Sequence, residues 1–305
     1  MIPPLPSATP TWHNDTYQSI SPSRPELNVS GKTVIITGAG SGIGQEAALT
    51  FAKAGASKLV LLGRDESKLA ETQRLVAAQA ESKSENPSVI VCDIFPVSVT
   101  DEKTMQDIAG KVGTWDVLIL AAGFLSTPGP VVSSPLDDWW QSFETNVKGT
   151  VIAANVFLPT ARLPPADSSS IHPSAAILSL TTGPATTFPA GHLKGLSAYM
   201  SSKTAGVKLI EFLAAENPHV FCASVHPGMV ETYIFNKSLS NAAVLPMDTV
   251  QLPAHFLLWM ASPEAGFLNG RTVWANWDVD ELKAMAAKIE AGRLMTVGLE
   301  GWPFS

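Results

Sequence analysis

In the segment Tyr199-Met200-Ser201-Ser202-Lys203 a phenol and an ammonium stand four residues apart. On a helix that spacing puts both groups on one face. A phenol has an ordinary pKa near ~10 and shuttles protons poorly at neutral pH, but a neighbouring cation favours the phenolate and draws the pKa towards the working range. The pair is therefore a candidate for proton transfer. Tyr-x-x-x-Lys also occurs as an ordinary surface pairing, so its meaning depends on what the rest of the chain places beside it. The helix that carries it continues through Val207, Ile210 and Leu213 at helical spacing.

A second constellation is Thr37-Gly38-Ala39-Gly40-Ser41-Gly42-Ile43-Gly44. It follows an apolar strand at residues 34–36 and precedes a helix over residues 45–54, with Ala47, Ala48, Phe51 and Ala54 on one face. Glycines serve here because such a turn needs positive φ and because its backbone must come within contact distance of a pyrophosphate. The helix N-terminus adds unpaired N–H groups and a positive dipole end. An ordinary tight strand-to-helix connection would also use glycine, but the flanking strand and helix favour a phosphate cradle.

The elements that follow would position a nucleotide. A second strand over residues 58–62 ends in Gly63-Arg64-Asp65. In a doubly wound sheet the adenosine ribose lies beside that end, where an acid would accept from a free 2′-hydroxyl. Gly63 removes the acid and Arg64 supplies a guanidinium that matches phosphate oxygens, which points to NADP(H). The alternative is a solvated Arg64, with Asp65 binding the ribose. A helix is expected over residues 66–81, with Leu69, Leu75 and Val76 inward, then a polar loop over 82–87 and a third strand over 89–92. Asp93, at its carboxyl end, would meet the adenine edge, or else cap the next turn.

After a helix over residues 104–112, strand four covers 116–120 and ends in Ala121-Ala122-Gly123, small enough to let a cofactor approach the backbone. A loop over 124–135 leads to one long helix over 136–156, containing Trp139, Trp140, Phe143 and Asn146. Asn146 competes locally for backbone groups and is a site for a kink. Beyond a loop at 162–173, strand five at 175–180 ends in Thr181-Thr182-Gly183, and the loop 184–196, with Phe188 and His192, is a candidate pocket wall. Strand six over 220–225 runs into His226-Pro227-Gly228-Met229-Val230-Glu231-Thr232, an apolar helix covers 252–261, and strand seven covers 272–275. Seven strands alternating with helices predict an α/β fold, a doubly wound seven-stranded parallel sheet in a single domain over residues 31–276.

Residues 1–30 form a Pro-rich arm whose Trp12 and Tyr17 either lie against the body or belong to a disordered tail. In the C-terminal part, 277–305, Asp280 is expected to cap a helix that stops near Gly292. Its stripe Leu282, Met285, Ala286 and Ile289 is read first as core or subunit contact and second as a pocket lid. A tail with Trp302 and Phe304 follows.

Composition narrows the function. The 305 residues are 45% apolar and 15% charged, which disfavours disorder, and a formal charge of -7 disfavours nucleic acid and anionic membrane as partners. No apolar stretch approaches a membrane span, and the start lacks the features of a signal peptide, giving an expectation of a cytoplasmic protein. Cys92 and Cys222 are expected as buried free thiols, and the six histidines form no metal cluster.

Taken together, residues 30–276 resemble the short-chain dehydrogenase/reductase family, whose core is a Rossmann sheet. Thr37-Gly38-x-x-x-Gly42-x-Gly44 is similar to its cofactor turn, Tyr199-x-x-x-Lys203 to its catalytic pair, Asn146 to its Asn-x-x-Gly helix, and Pro227-Gly228 with Thr232 to its nicotinamide-side loop. The Pro-rich start and the endings 273–278 and 301–304 resemble fungal reductases of the family, many tied to secondary metabolism. The resemblance implies NADP(H) held by Gly38, Ser41, Gly42, Ile43, Gly44, Arg64, Asp93, Ala122, Gly123, Tyr199, Lys203, Pro227, Gly228, Val230 and Thr232. Tyr199 would exchange a proton with a carbonyl or alcohol oxygen, Lys203 would hold the nicotinamide ribose and lower the tyrosine pKa, and Asn146 would position a water. The family's usual serine is replaced, with Thr182 at its position and Thr186 as a second choice. Ala121-Ala122 stands where asparagines are common, implying weaker support behind the cofactor. A homodimer or homotetramer through the helices at 136–156 and 199–214 is implied. The substrate would be a fairly apolar small molecule. The alternative is a protein of the same fold that catalyses a non-redox cyclisation or isomerisation, or a nucleotide-binding partner protein.

Overall fold

Seven apolar segments pair edge to edge into one sheet. The computed structural model describes residues 2–81, 90–163 and 174–298. The strands are β1 (Thr33–Thr37), β2 (Lys58–Gly63), β3 (Val91–Pro96), β4 (Val117–Leu120), β5 (Ala175–Leu180), β6 (Val220–His226) and β7 (Thr272–Trp274). Their order is β3-β2-β1-β4-β5-β6-β7, all parallel. The chain returns from one side of β1 to the other between β3 and β4, so a crevice opens at the carboxyl ends of β1 and β4.

The helices are α1 (Gly42–Lys53), α2 (Glu66–Glu81), α3 (Glu102–Val112), α4 (Leu136–Phe143), α5 (Gly149–Phe157), α6 (Pro184–Thr187), α7 (Ser197–Glu216), α8 (Tyr233–Lys237), α9 (Gln251–Met260), α10 (Val279–Ala284) and α11 (Ala286–Glu290). Side chains alternate across each strand, so two cores form. Val34, Ile36, Leu59 and Leu61 pack with α1 and α9 on one face, while Ile35, Val60, Leu62 and Leu118 pack with α3, α5 and α7 on the other. Each such fully buried side chain contributes about 1.5–3 kcal/mol before chain entropy is charged against it.

Three expectations change. The long helix at 136–156 is interrupted by a π turn over Glu144–Lys148 that contains Asn146. The C-terminal helix is capped by Asp278, which accepts from the Asp280 and Glu281 amides at 3.0 Å each, and not by Asp280. It also breaks at Met285 into α10 and α11, while Leu282 and Ile289 are buried in the core. The arm lies on the body: Trp12 bridges Trp277 in antiparallel fashion, and Ile20, Leu27 and Val29 join the α1/α9 core. The loop read at 82–87, most of the loop at 162–173, and the tail residues Trp302 and Phe304 lie outside the described residues.

Candidate active site at the carboxyl edge of the sheet

The glycine turn is built by close approach. Gly38 (φ +68) faces β4 so tightly that a Cβ would sit 2.8 Å from the Ala122 amide nitrogen. Gly44 opens α1, and a Cβ there would lie 2.3 Å from the Gly38 carbonyl oxygen. Gly42 has φ +54. Ser41 precedes α1 without capping it by its side chain, so no side chain of the N-cap residue satisfies the amides of the first turn. Ile43, half-buried, packs its side chain back on the core. Ala122 is better supported than the loss of an asparagine implied, because its amide donates to Thr37 Oγ1 at 3.2 Å.

Beside the turn, Arg64 is exposed at the end of β2 and makes no hydrogen bond or ion pair among the described residues. Asp65 is already engaged by the start of α2, accepting from Ser67 Oγ at 2.7 Å and the Lys68 amide at 3.2 Å. Lys68, which the sequence reading passed over, packs its Cβ 3.0 Å from where a Gly40 Cβ would be.

Asp93 is not at the end of its strand. It pairs in register with Val60 in mid-strand, and its carboxylate meets Lys58 Nζ at 3.1 Å. β3 is the sheet edge, where a half-exposed acid is tolerated. The strand runs on to Pro96, opposite Gly63, and the Val97 amide donates to the Gly63 carbonyl at 2.8 Å. Val97 and Ser98 therefore stand where Asp93 was expected.

Two of the catalytic candidates, Asn146 and Lys203, meet around Gly123. A Cβ on Gly123 would lie 3.6 Å from Asn146 Oδ1 and 3.8 Å from Lys203 Nζ. Asn146 is buried, accepts from the Phe124 amide at 2.9 Å, and donates to the Phe124 carbonyl at 2.8 Å and to Ser202 Oγ at 2.9 Å. Ser202, buried and missed in the sequence, donates to the Tyr199 carbonyl at 2.8 Å. It thus ties the π turn to the helix carrying Tyr199 and Lys203. A small polar cavity of about 10 Å³ lies among Ala122, Asn146, Thr181 and Lys203. That is about the least volume that admits one water.

Lys203 is buried and donates to the Leu180 carbonyl at 2.6 Å, with Nζ 5.9 Å from the centre of the Tyr199 ring. Burial pulls the ammonium down to about 8 and pushes the phenol up to about 12. Desolvation is what moves the phenol, and no lowering by Lys203 accompanies it in the chain alone. Thr186 Oγ1 donates to the Gly183 carbonyl at 3.2 Å, whereas the half-buried Thr182 hydroxyl has no partner among the described residues. The turn after Thr182 is fixed from behind: a Cβ on Gly183 would be 2.3 Å from Trp274 Cζ2. Trp274 in turn packs edge-on against His226, whose burial holds its imidazole neutral, down to about 3.

Three loops close the site. Gly129 N donates to Gly195 O at 2.9 Å, joining the loops at 124–135 and 184–196. After Pro227, Gly228 has φ +84, and the buried Val230 bridges Asp248. Thr232 caps α8, donated to by the Phe235 amide at 3.3 Å, and its Cγ2 lies 3.3 Å from where a Gly42 Cβ would be. Ile234 then reaches Gly123, and Lys237 Nζ sits 4.3 Å over the Phe124 ring. Among the described residues no group of three or more acidic, histidine or cysteine side chains is placed to hold a metal, and no helix is long and apolar enough to cross a membrane. Cys92 and Cys222 are free, Cys92 only half-buried, and burial raises both thiols to about 12.

Residues 32–243 match the family model of the short chain dehydrogenases. The chain belongs to the short-chain dehydrogenase/reductase family. A short chain dehydrogenase/reductase of Claviceps purpurea is 35% identical over 300 residues, covering 97% of this chain and 95% of its own. The short chain dehydrogenase/reductase AacuD of Aspergillus aculeatus is 31% identical over 294 residues, covering 95% and 96%. Among solved structures, a short chain dehydrogenase of Shigella flexneri complexed with NADP superimposes with a TM-score of 0.69 at 21% identity, covering 83% of this chain and 99% of its own. As a member of this family the chain is an oxidoreductase of a group that uses nicotinamide cofactors. The Rossmann sheet and the likeness to fungal reductases are as the sequence reading expected.

Proposed function

We propose that this short-chain dehydrogenase/reductase transfers a hydride between NADP(H) and a carbonyl or secondary alcohol of a small, fairly apolar molecule. The observation that carries this reading is the convergence of Asn146 and Lys203 on Gly123, beside the glycine turn that Gly38 packs against Ala122. The residues fit a dinucleotide: uncapped amides at the start of α1 suit a pyrophosphate, and a close-approach glycine lies at the end of β4. NADP(H) is favoured over NAD(H) because Arg64 is unpartnered while Asp65 is engaged by α2. A structure of the same fold complexed with NADP supports the choice.

When bound, the nicotinamide supplies or accepts the hydride. Tyr199, held at about 12, keeps its proton at neutral pH and donates it to the carbonyl oxygen. Lys203, at about 8, stays mostly protonated there, with one N–H on Leu180 O and two left for the ribose hydroxyls. The free hydroxyl of Thr182 polarises the carbonyl, and Asn146 holds Phe124 and Ser202 in place around them.

Exposed Leu136, Trp140, Val151 and Phe212 on α4, α5 and α7 support a homodimer or homotetramer through these helices. A cytoplasmic location and a place in fungal secondary metabolism complete the reading. The test is incubation of the purified chain with NADPH and a panel of apolar ketones and aldehydes. Loss of nicotinamide absorbance with matching alcohol formation supports the redox reading. Product formed with NADPH unchanged would establish the non-redox alternative.

A further inference from the structure

Asp248 lies far from the glycine turn in sequence, yet its carboxylate gathers three separate segments. Oδ2 accepts from the Met229 amide at 2.6 Å, and Oδ1 accepts from Asn276 Nδ2 at 2.9 Å and from Asn14 Nδ2 at 2.7 Å. The Asp248 amide also donates to the Met229 carbonyl at 2.9 Å, so Met229 is held at both ends. Gly228 passes so close that a Cβ would fall 2.3 Å from Oδ2. The carboxylate is buried, which pushes its pKa up, while its three N–H donors pull it back.

Asn14 belongs to the N-terminal arm, and the arm is stitched down around it. The Thr249 amide donates to the Asn14 carbonyl at 2.9 Å, and His13 exchanges bonds of 2.9 Å with Asn276, its amide donating to Asn276 O while Asn276 Nδ2 donates to His13 O. On the other side, the segment that begins at Gly228 carries Thr232 against Gly42 and Ile234 against Gly123. The grip on Met229 therefore sets how that segment lies over the glycine turn at Gly42 and over Gly123 at the end of β4.

We propose that Asp248 is a positioning residue through which Asn14 makes the N-terminal arm part of the cofactor site, fixing the 228–234 segment in the conformation that binds NADP(H). This rests on the NADP(H) reading above. A buried carboxylate that loses one of three donors is left under-satisfied, and hydrogen bonds to charged groups are among the stronger ones. The segment then relaxes, and affinity falls by the fraction of time it is misplaced. The arm has other anchors that do not touch this segment, such as Arg24, which donates through Nη2 to Glu264 at 2.7 Å. They separate positioning from simple strapping.

The experiment compares the full-length chain with Asn14→Ala, Asp248→Asn and Arg24→Ala, measuring NADPH Kd, Tm and amide hydrogen exchange over residues 228–235. Asn14→Ala is expected to raise the Kd about tenfold and to accelerate exchange at Met229, with Asp248→Asn at least as severe if it folds. Arg24→Ala is expected to lower Tm while leaving the Kd within about twofold. A Kd that simply follows Tm across the variants, or an unchanged Kd in Asn14→Ala, overturns the proposal and leaves the cofactor reading standing. If the unaltered chain binds neither NADPH nor NADH, the cofactor reading fails and the proposal falls with it.

Discussion

Asn146 holds Phe124 by both ends of one amide, accepting from its N–H at 2.9 Å and donating to its carbonyl at 2.8 Å. A side chain that mimics a strand partner in this way fixes the chain just after Gly123. Only an amide offers donor and acceptor together in that geometry. Asn146→Asp is therefore expected to be as damaging as Asn146→Ala, since a carboxylate faces the Phe124 carbonyl without a proton to give. Each variant should lose on the order of 2 kcal/mol of stability and bind NADPH more weakly, checked by denaturant unfolding and cofactor titration.

Thr182 and Thr186 separate by the use of their hydroxyls. Thr186 Oγ1 is bonded to Gly183 O, whereas that of Thr182 is free to face a substrate. Thr182→Val should lower kcat by roughly 10²–10³-fold, as loss of an oxyanion-stabilising donor does. Thr182→Ser should keep most activity, and Thr186→Val should change it little. Steady-state kinetics on the three variants decides the assignment.

Lys203 carries a stability cost that depends on pH. Its ammonium has a folded value of about 8 against 10.5 when exposed. Between those values the unfolded chain binds more protons at this group than the folded one, so the contribution of Lys203 to stability rises from about pH 8 to 10.5, while above about pH 9 the raised thiols of Cys92 and Cys222 act in the opposite sense. Below pH 8 the buried charge is present and its cost is largest, up to about 3 kcal/mol before the offsetting bond to Leu180 O is counted. Lys203→Met should abolish turnover, match or exceed the unaltered chain in denaturant midpoint at pH 7, and lose that advantage as pH rises from about 8 to 10.5.

Arg64 is the cofactor selector on this account. Arg64→Leu should weaken NADPH by about tenfold or more and leave NADH affinity nearly unchanged, since only the former has a 2′-phosphate for the guanidinium. Nucleotide titrations in parallel measure the ratio.

Much of this was legible in the sequence because it is local. The strand-turn-helix at Gly38 to Gly44 and the Tyr199/Lys203 spacing carry their geometry in a few adjacent residues. Asp93 misled because an acid in an apolar run looks like a strand end, whereas on an edge strand Lys58 compensates it across the sheet. The Asn146 kink could be anticipated, but not the π turn or its Ser202 partner, since these follow from packing between α4, α5 and α7. Ser202 did carry a signal: it sits three residues after Tyr199, on a face turned inward. Asp248 had none, because its three donors come from residues 14, 229 and 276, which only the folded chain brings together. Burial, invisible in a motif, raises the Tyr199 phenol to about 12, with the Lys203 Nζ 5.9 Å from the ring centre.

The most direct test of the account is NADPH turnover and NADPH binding measured side by side in the unaltered chain and in Tyr199→Phe, with a ketone that the unaltered chain reduces. The phenol hydroxyl is the only proton donor to the substrate oxygen proposed here. Tyr199→Phe should therefore keep its NADPH Kd within about twofold while turnover falls by roughly 10²–10⁴-fold. Turnover retained in Tyr199→Phe would contradict the mechanism.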